Sequence, residues 1–197
     1  MANKNETYFN LARAYLGECQ ARNRYTFYSS VAKKEGFEQI SAIFFETAAQ
    51  EKEHAKNLFV LINTLRDAGD GPSDLKLDGV EIPNVYSTTA DNLKDAIAGE
   101  SHEASIMYPQ FADIAEQEGY KDIAIRLRAI AKAEEHHSNV YQKLLELVEQ
   151  GRVFKRDTNQ VWACRECGYV HVGKEAPLLC PSCSHAQGYY EISRELY

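Results

Sequence analysis

Apolar residues return every three or four positions through two long stretches of the chain, residues 6–65 and residues 90–149. This period is typical of α-helices that bury one face. Each stretch is interrupted once near its middle, at residues 34–37 and at residues 118–120, and both interruptions contain a glycine. Because glycine commonly follows the end of a helix, each stretch is predicted to be a hairpin of two antiparallel helices. The expected fold is mainly α, a four-helix bundle.

The segments outside the two hairpins have a different composition. Residues 67–89 are rich in Gly, Pro, Asp and Asn, which predicts a long crossover with little helix of its own. Beyond the helices, short strands are predicted at residues 153–155 and 160–163. We therefore expect a helical domain over residues 1–150 and a small β-rich domain over residues 151–197. The second domain is too short to bury a large core, so a bound metal would stabilise it.

The two hairpins carry the same polar landmarks at a nearly constant offset. Gly17-Glu18 is matched by Gly99-Glu100 at an offset of 82, and Glu51-x-x-His54 is matched by Glu134-x-x-His137 at an offset of 83. The glycine turns within the hairpins also match at an offset of 83. Three landmarks at one spacing indicate that the bundle is a duplicated helical hairpin.

The Glu-x-x-His motif places a carboxylate and an imidazole on one helix face, because residues three apart are neighbours on an α-helix. Glu53 and His136 each lie about 200° round the helix from the motif glutamate and are expected to point away. A single such motif usually decorates a solvated helix face, whereas two copies paired with two Gly-Glu landmarks indicate a di-iron or di-manganese site of the ferritin-like kind. The candidate ligands are Glu18, Glu51, His54, Glu100, Glu134 and His137.

Glu103 breaks the repeat. It follows Glu100 by three positions and shares its inward face, whereas its counterpart in the first hairpin is Ala21. Glu103 is either an acceptor for a ligand or a fifth carboxylate ligand. As a ligand it would favour Fe³⁺, while neutral His54 suits Fe²⁺, so one iron could move between them. Tyr25, seven positions after Glu18, either donates a hydrogen bond to a ligand carboxylate or packs in the core.

Four of the five cysteines form two Cys-x-x-Cys loops separated by twelve residues. Two such loops fit one tetrahedral metal, held by Cys164, Cys167, Cys180 and Cys183. Spacing alone does not distinguish structural Zn²⁺ from a mononuclear iron centre of the rubredoxin kind. Cys19 is expected to be a packed or inert thiol rather than a metal ligand.

Charge and hydropathy exclude several partners. The net charge of −7 disfavours nucleic acid and anionic membranes, which bind basic surfaces. The first residues are polar, and no apolar stretch reaches the length of a bilayer span. We expect a cytoplasmic protein, where reduced cysteines bind metal rather than form disulfides.

Taken together, these motifs resemble those of the rubrerythrins, and the resemblance covers essentially the whole chain. The resemblance lies in residues 17–25 and 50–56, in Gly99-Glu100-x-x-Glu103, in Ala133-Glu134-Glu135-x-His137 and in the rubredoxin-like cysteine loops. The chain departs from the family pattern at Cys19, where Ser is common, and at His136, where an aromatic residue is usual. Neither departure removes a candidate ligand.

The resemblance implies a role for each ligand. Glu51 and Glu134 would bridge two irons, Glu18, Glu100 and His137 would be terminal ligands, and Glu103 and His54 would alternate on one iron. It also implies that Tyr108 lies near the site. Members of the family reduce hydrogen peroxide to water, with electrons from rubredoxin or from NAD(P)H through separate reductases.

The expected function is therefore a non-haem peroxidase with a di-iron centre, an Fe(Cys)₄ electron carrier and a role in oxidative stress. Because the cysteine centre can lie far from the di-iron site of its own chain, we expect a head-to-tail homodimer in which each cysteine domain serves its partner. The main alternative is a ferroxidase that sequesters iron, and a second is an oxygenase with a substrate cavity.

Overall fold

The computed structural model describes residues 6–72 and 74–193, and most of them are helical. The helices are α1 (Glu6–Lys34), α2 (Glu38–Asp67), α3 (Thr89–His102), α4 (Tyr108–Gln117) and α5 (Lys121–Glu149). A π-helical turn, Glu103–Met107, joins α3 to α4 without a break, so the bundle has four helical rods. The prediction of a mainly α, four-helix bundle is confirmed.

Two glycine turns close the hairpins. Gly36, with φ +83°, ends α1, and the N–H of Phe37 donates to the carbonyl of Ala32 at 2.9 Å. Gly119, with φ +96°, ends α4 in the same way. Between Asp67 and Thr89 the described residues form no helix or strand, and this segment crosses from one hairpin to the other.

The bundle has two hydrophobic clusters, one toward each end. Leu11, Leu58 and Leu127 belong to the first, whereas Tyr28 and Phe44 belong to the second. In each helical rod, the candidate ligands lie in the interval between these clusters. The sequence therefore forms a polar layer at mid-length and packs apolar side chains on both sides of it.

The π-helical turn accounts for the change of offset in the repeat. Gly36 lies 18 positions after Glu18, whereas Gly119 lies 19 positions after Glu100. The second hairpin therefore has one extra residue in a rod that matches the first. A π-turn accommodates such a residue by widening one turn of the helix.

The C-terminal module is a three-stranded antiparallel sheet with strand order β2-β1-β3. The strands are β1 (Lys155–Cys164), β2 (Val170–Glu175) and β3 (Tyr190–Ile192). Trp162, fully buried, is at the centre of its small core and donates from Nε1 to the carbonyl of Gly173 at 2.9 Å. The predicted strand at residues 160–163 is confirmed as part of β1.

The predicted strand at residues 153–155 is wrong for its first two residues. Val153 and Phe154 lie in a turn, and only Lys155 belongs to β1. Phe154 stacks on Phe37 of the bundle, with ring centroids 6.1 Å apart and planes 15° apart. Its apolar character thus serves the contact between module and bundle rather than a strand.

None of the helices in the described part of the chain has both the length and the hydropathy that a bilayer span needs.

Candidate metal centres

Each rod of the bundle contributes acidic or imidazole side chains to the polar layer. Glu18 comes from α1 and Glu100 from α3, while α2 and α5 each contribute the Glu and the His of one Glu-x-x-His motif. The four glutamates Glu18, Glu51, Glu100 and Glu134 are buried. Because four carboxylates lie in an apolar interior, either bound cations or protons must compensate their charge.

The side chains form two groups whose ligand atoms lie within 4.8 Å of one another. One group is Glu18, Glu51, His54 and Glu134, and the other is Glu51, Glu100, Glu134 and His137. Glu51 and Glu134 belong to both groups. The two groups are therefore adjacent and share two carboxylates, which is the arrangement of a dinuclear site.

The Nδ1 atoms of both imidazoles face the carboxylates. His54 Nδ1 lies 2.9 Å from both Glu51 Oε2 and Glu134 Oε1. His137 Nδ1 lies 2.8 Å from Glu134 Oε2 and 3.4 Å from Glu100 Oε2. On the outer side of its ring, His137 Nε2 is 2.9 Å from Gln50 Oε1, which fixes the ring orientation.

Several buried polar atoms of this layer form no hydrogen bond of acceptable geometry among the described residues, although imidazole and carboxylate atoms lie close together. They are Glu18 Oε2, Glu51 Oε1, Glu100 Oε2, both carboxylate oxygens of Glu134 and His137 Nδ1. Buried polar atoms without partners are costly in a protein interior. Hard oxygen and imidazole donors at this spacing fit a pair of iron ions, which would bind these same atoms.

The shifted pKa values of these residues also indicate that the site requires positive charge. Burial raises the pKa of Glu100 to about 8, against the adjacent His137 imidazole, which lowers it. Burial opposes protonation of His54, but the adjacent carboxylates of Glu134 and Glu51 raise its pKa to about 10. Protons on the imidazoles thus take the position of cations when metal is removed.

Two buried tyrosines donate to the glutamates of the opposite hairpin. Tyr25 Oη donates to Glu100 Oε1 at 2.5 Å, and Tyr108 Oη donates to Glu18 Oε1. For both tyrosines burial is the main cause of a strongly raised pKa, and the adjacent carboxylate adds to it. Both phenols therefore keep their protons at neutral pH and act as hydrogen-bond donors.

Reasoning from local spacing missed the contact of Tyr108, but the repeat contains it. The offset after the π-turn is 83, and 83 positions after Tyr25 is Tyr108. The two phenols are therefore equivalent residues of the duplicated hairpin. Their crossed hydrogen bonds connect each hairpin to a terminal carboxylate of the other.

Glu103 lies beside the two groups but belongs to neither. Its Oε1 is 3.7 Å from the position that a Cβ on Gly17 would occupy. Burial and the neighbouring carboxylates, Glu100 first, raise the pKa of Glu103 well above its ordinary value, whereas Arg24 lowers it. His54 is within the first group and Glu103 is outside it, so this arrangement uses the imidazole and not the fifth carboxylate.

The four loop cysteines converge on one point in the C-terminal module. Cys164 and Cys183 have sulfur atoms 3.8 Å apart, and Cys167 and Cys180 have sulfur atoms 3.6 Å apart. Disulfide sulfur atoms would lie about 2.05 Å apart. A tetrahedral metal with bonds of about 2.3 Å requires sulfur atoms about 3.8 Å apart, so the geometry fits a metal.

The two cysteine loops have the same backbone conformation. Each is followed by a residue with positive φ, Gly168 at 76° and Ser184 at 61°. Burial opposes ionisation of Cys180, but the Tyr190 hydroxyl and two backbone N–H groups of its loop lower its pKa to about 6. His185 Nδ1 is 3.3 Å from Cys183 Sγ, a further polar contact to a ligand sulfur.

The remaining polar residues of the helices lie outside the groups. Glu53 and His136 are exposed, as helix geometry predicts. Cys19 is partly buried, next to Tyr15, and is not a member of either carboxylate group or of the cysteine group.

Family models match both parts of the chain. The model described as Rubrerythrin matches residues 10–145, and the model described as Rubrerythrin, rubredoxin-like domain, matches residues 162–191. A putative rubrerythrin of Methanocaldococcus jannaschii is 54% identical over 196 residues, covering 99% of this chain and 96% of the relative.

Solved structures show the same architecture. Nigerythrin in its fully reduced, all-ferrous state matches with a TM-score of 0.62 at 28% identity, covering 95% of this chain and 86% of that one. The bacterioferritin of Desulfovibrio desulfuricans matches with a TM-score of 0.65 at 17% identity, covering 76% and 84%. At that identity the second match establishes the fold alone, and the fold is ferritin-like.

Proposed function

Because the chain belongs to the rubrerythrin family, we propose that it is a non-haem di-iron peroxidase that reduces hydrogen peroxide to water. Family membership makes it an iron-based protein of the oxidative stress response, with a di-iron carboxylate–histidine site and a rubredoxin-like centre. The boundary between the two functional domains is proposed at residues 150 and 151, since α5 ends at Glu149 and β1 begins at Lys155.

The observation that carries the proposal is the sharing of Glu51 and Glu134 by both groups. A carboxylate with one oxygen toward each of two ions is suited to bridge them. Glu51 follows this pattern, since its Oε2 is 2.9 Å from His54 Nδ1 and its Oε1 is 3.2 Å from His137 Nδ1. Glu18, Glu100 and His137 would then be terminal ligands.

The two groups of ligands would hold two ferrous ions, which together would supply the two electrons of H₂O₂ + 2H⁺ + 2e⁻ → 2H₂O. The protein must position the ligands, exclude bulk water and hold protons close to the reacting oxygen atoms. The hydroxyl groups of Tyr25 and Tyr108 donate hydrogen bonds to the terminal carboxylates Glu100 and Glu18. These phenols fix the orientation of both carboxylates and can share their protons with them.

We also propose that His54 and Glu103 alternate as ligands of one iron. His54 belongs to the first group, and its side chain is 17% exposed, so its ring has room to move. Glu103 is a neighbour of Glu18, since its charge is the second cause of the raised pKa of that residue, after burial. An anionic ligand matches the higher charge of oxidised iron, and a neutral imidazole matches the lower charge.

Electrons would reach the di-iron site from the cysteine centre as an Fe(Cys)₄ carrier, itself reduced by rubredoxin or by an NAD(P)H-dependent reductase. The module contacts its own bundle at Phe37, which precedes Glu51 by 14 positions, or about 21 Å at 1.5 Å per residue. Since electron transfer slows steeply with distance, this separation supports a head-to-tail homodimer in which each module serves the partner's site.

The test is a stopped-flow comparison of oxidants on the anaerobically reduced protein that contains iron at both centres. We expect hydrogen peroxide to reoxidise the di-iron site faster than O₂ does, followed by return of the thiolate-to-iron absorption of the cysteine centre. Faster reaction with O₂, together with mineralisation of added Fe²⁺, would instead establish the ferroxidase alternative. If protein isolated from its native host contained zinc in the cysteine centre, that centre could not carry electrons, and its proposed role would be wrong.

A mixing experiment tests the dimer. One parent is Glu134→Ala, which lacks a bridging carboxylate, and the other is Cys180→Ser, which lacks a cysteine ligand. Each alone should have no NAD(P)H-linked peroxidase activity, and dissociated and reassembled mixtures should recover part of it. Mixed dimers that form but recover none would contradict the exchange of modules.

A further inference from the structure

The di-iron site is closed over most of its surface. Glu18 and Glu51 are 1% exposed, and Glu100 and Glu134 are fully buried. The phenol of Tyr108, which covers Glu18, is also fully buried. A solute of the size of hydrogen peroxide therefore needs a defined way in.

The π-turn is one of the less covered parts of this layer, and the partly exposed ring of His54 is another. The residues of Glu103–Met107 are partly covered or exposed, and Ile106 is 45% exposed, although the Glu103 carboxylate itself lies among the other carboxylates. The turn with the extra residue is thus less covered than Glu100 and Tyr108 on either side of it.

A groove of about 360 Å³ lies against this turn. Its walls come from three elements, namely α1, the π-turn with the adjoining residues of α3 and α4, and the crossover segment at residues 77–81. Liquid water takes about 30 Å³ per molecule, so the groove has room for about ten water molecules. Peroxide dissolved in this water would reach the wall formed by Gly17.

Gly17 is a residue of the groove wall that lies next to the Glu103 carboxylate. It lines the groove, and a Cβ added to it would meet only one atom within 4 Å outside its own helix neighbourhood, Glu103 Oε1 at 3.7 Å. The absence of a side chain at Gly17 therefore leaves free space between the groove and the Glu103 carboxylate.

Helix stability does not explain this glycine. Gly17 lies in the interior of the 29-residue helix α1, where glycine costs about 1 kcal/mol relative to alanine. No backbone atom from another element approaches its Cα closely enough to exclude a methyl group. The glycine therefore destabilises the helix with no packing requirement, and the space next to Glu103 is what it provides.

We propose that this groove is the route of hydrogen peroxide to the di-iron site, and that Gly17 sets the width of its inner end, which admits hydrogen peroxide but is too narrow for bulky hydroperoxides. The inference rests on the proposed peroxidase function and adds the side from which the substrate arrives. Peroxide arrives at Glu103, the carboxylate proposed to exchange with His54, so access and ligand exchange occur at the same iron.

Two pairs of variants test the route. Gly17→Val narrows the inner end, and its matched control is Gly99→Val, the equivalent glycine of the second hairpin, whose added Cβ would meet Arg24 Nη2 at 3.8 Å and which does not line the groove. Val80→Trp fills the outer end from the crossover, and its control is Ile82→Trp, which is 79% exposed and outside the groove. The second pair leaves the helices unaltered and decides the question if Gly17→Val does not fold or bind iron.

Two readouts are needed, namely the rate of reaction of the reduced protein with hydrogen peroxide and the rate of azide binding to the oxidised di-iron site, followed by its absorption. Gly17→Val and Val80→Trp should slow both by about tenfold, and the controls should stay within about twofold of the wild type. Wild-type protein should also prefer hydrogen peroxide to tert-butyl hydroperoxide, and Gly17→Val should increase that preference.

The possible outcomes distinguish a failure of the proposed access route from a failure of the proposed peroxidase function. If azide binding depends on Gly17 and Val80 while the wild type does not react with peroxide, the proposed function fails and the route is supported. If both groove variants bind azide at the wild-type rate, the route is wrong, whatever the peroxidase activity. If the controls slow azide binding as much as the groove variants do, the effect is general and the route is again wrong.

Discussion

Gly188→Ala should loosen the cysteine module from the bundle without altering either metal centre. Gly188 lies in the short 3₁₀ turn before β3, where its backbone packs directly on the turn between α1 and α2. A Cβ at this position would lie 2.3 Å from the carbonyl oxygen of Gly36 and 3.2 Å from its Cα. These are backbone atoms of a tight turn, so they cannot rotate out of the way as a side chain does.

The size of the clash gives the size of the effect. Carbon and oxygen atoms in the closest favourable contacts are about 3.3 Å apart, so the module must move by about 1 Å. Overpacking of this kind costs about 1–3 kcal/mol. Displacement would also weaken the stacking of Phe154 on Phe37, because such ring pairs contribute about 0.5–1.5 kcal/mol at their preferred separation. We therefore expect undocking of the module to become at least about tenfold more favourable.

The assay combines limited proteolysis of the connection at residues 150–154 with spectra of both centres. Cleavage should accelerate by about the same factor as undocking, while the thiolate-to-iron absorption stays unchanged. Re-reduction of the di-iron site should slow, because the position of the module controls its distance from the acceptor. The matched control is Gly173→Ala, whose Cβ would meet His171 Nε2 at 2.7 Å, a side-chain atom that can move.

Unchanged cleavage in Gly188→Ala would mean that the bundle contact does not hold the module in place. An equal acceleration in Gly173→Ala would show that any disturbance of the sheet has the same effect. Either result would refute the argument from backbone contact.

Three further predictions concern the metal centres themselves. Tyr25→Phe and Tyr108→Phe should each lower iron affinity by about 10–100-fold and stability by about 1–3 kcal/mol, to a similar extent because they are equivalent positions, as titrations and thermal unfolding would measure. The metal-free protein should lose stability as pH rises. The folded-state pKa values of Glu100, about 8 against 4.5, and His54, about 10 against 6.5, are both raised, so the folded form holds more protons between pH 4.5 and 10. Denaturant titrations at pH 5 and pH 9 would check this, and stability that rises with pH would contradict it. Ser184→Gly should stabilise the module by about 1 kcal/mol in thermal unfolding, because Ser184 has φ 61°.

The sequence predicts the bundle well because two periodic signals agree. Apolar residues at helical spacing predict the four rods, and the repeat selects, among many glutamates and histidines, the ones at matching positions. Glu53 illustrates the selection, since helix geometry directs it outward although it stands in the same motif as Glu51 and His54. In the structure it is exposed and forms an ion pair with Lys56.

Contacts between distant segments are less accessible to sequence reasoning. Phe154 has the apolar character of a strand residue, but it stacks on Phe37, a contact that depends on how the module docks. Gly188 resembles any turn glycine, and only the structure reveals the carbonyl of Gly36 against it. Such positions follow from tertiary packing, which leaves no periodic signal in the chain.

The π-turn is a different case, because its signal was present as a change of offset from 82 to 83 between Glu100 and Gly119. A perfect duplication would give two equivalent metal positions with equal access. One extra residue removes that equivalence, since it leaves Tyr108 equivalent to Tyr25 but leaves the rod less covered at Glu103–Met107. Ligand exchange, substrate access and the surplus carboxylate then all belong to one side of the site. The asymmetry that the proposed two-electron reaction uses therefore has two neighbouring origins in the second hairpin, a glutamate where the first hairpin has Ala21 and a one-residue insertion.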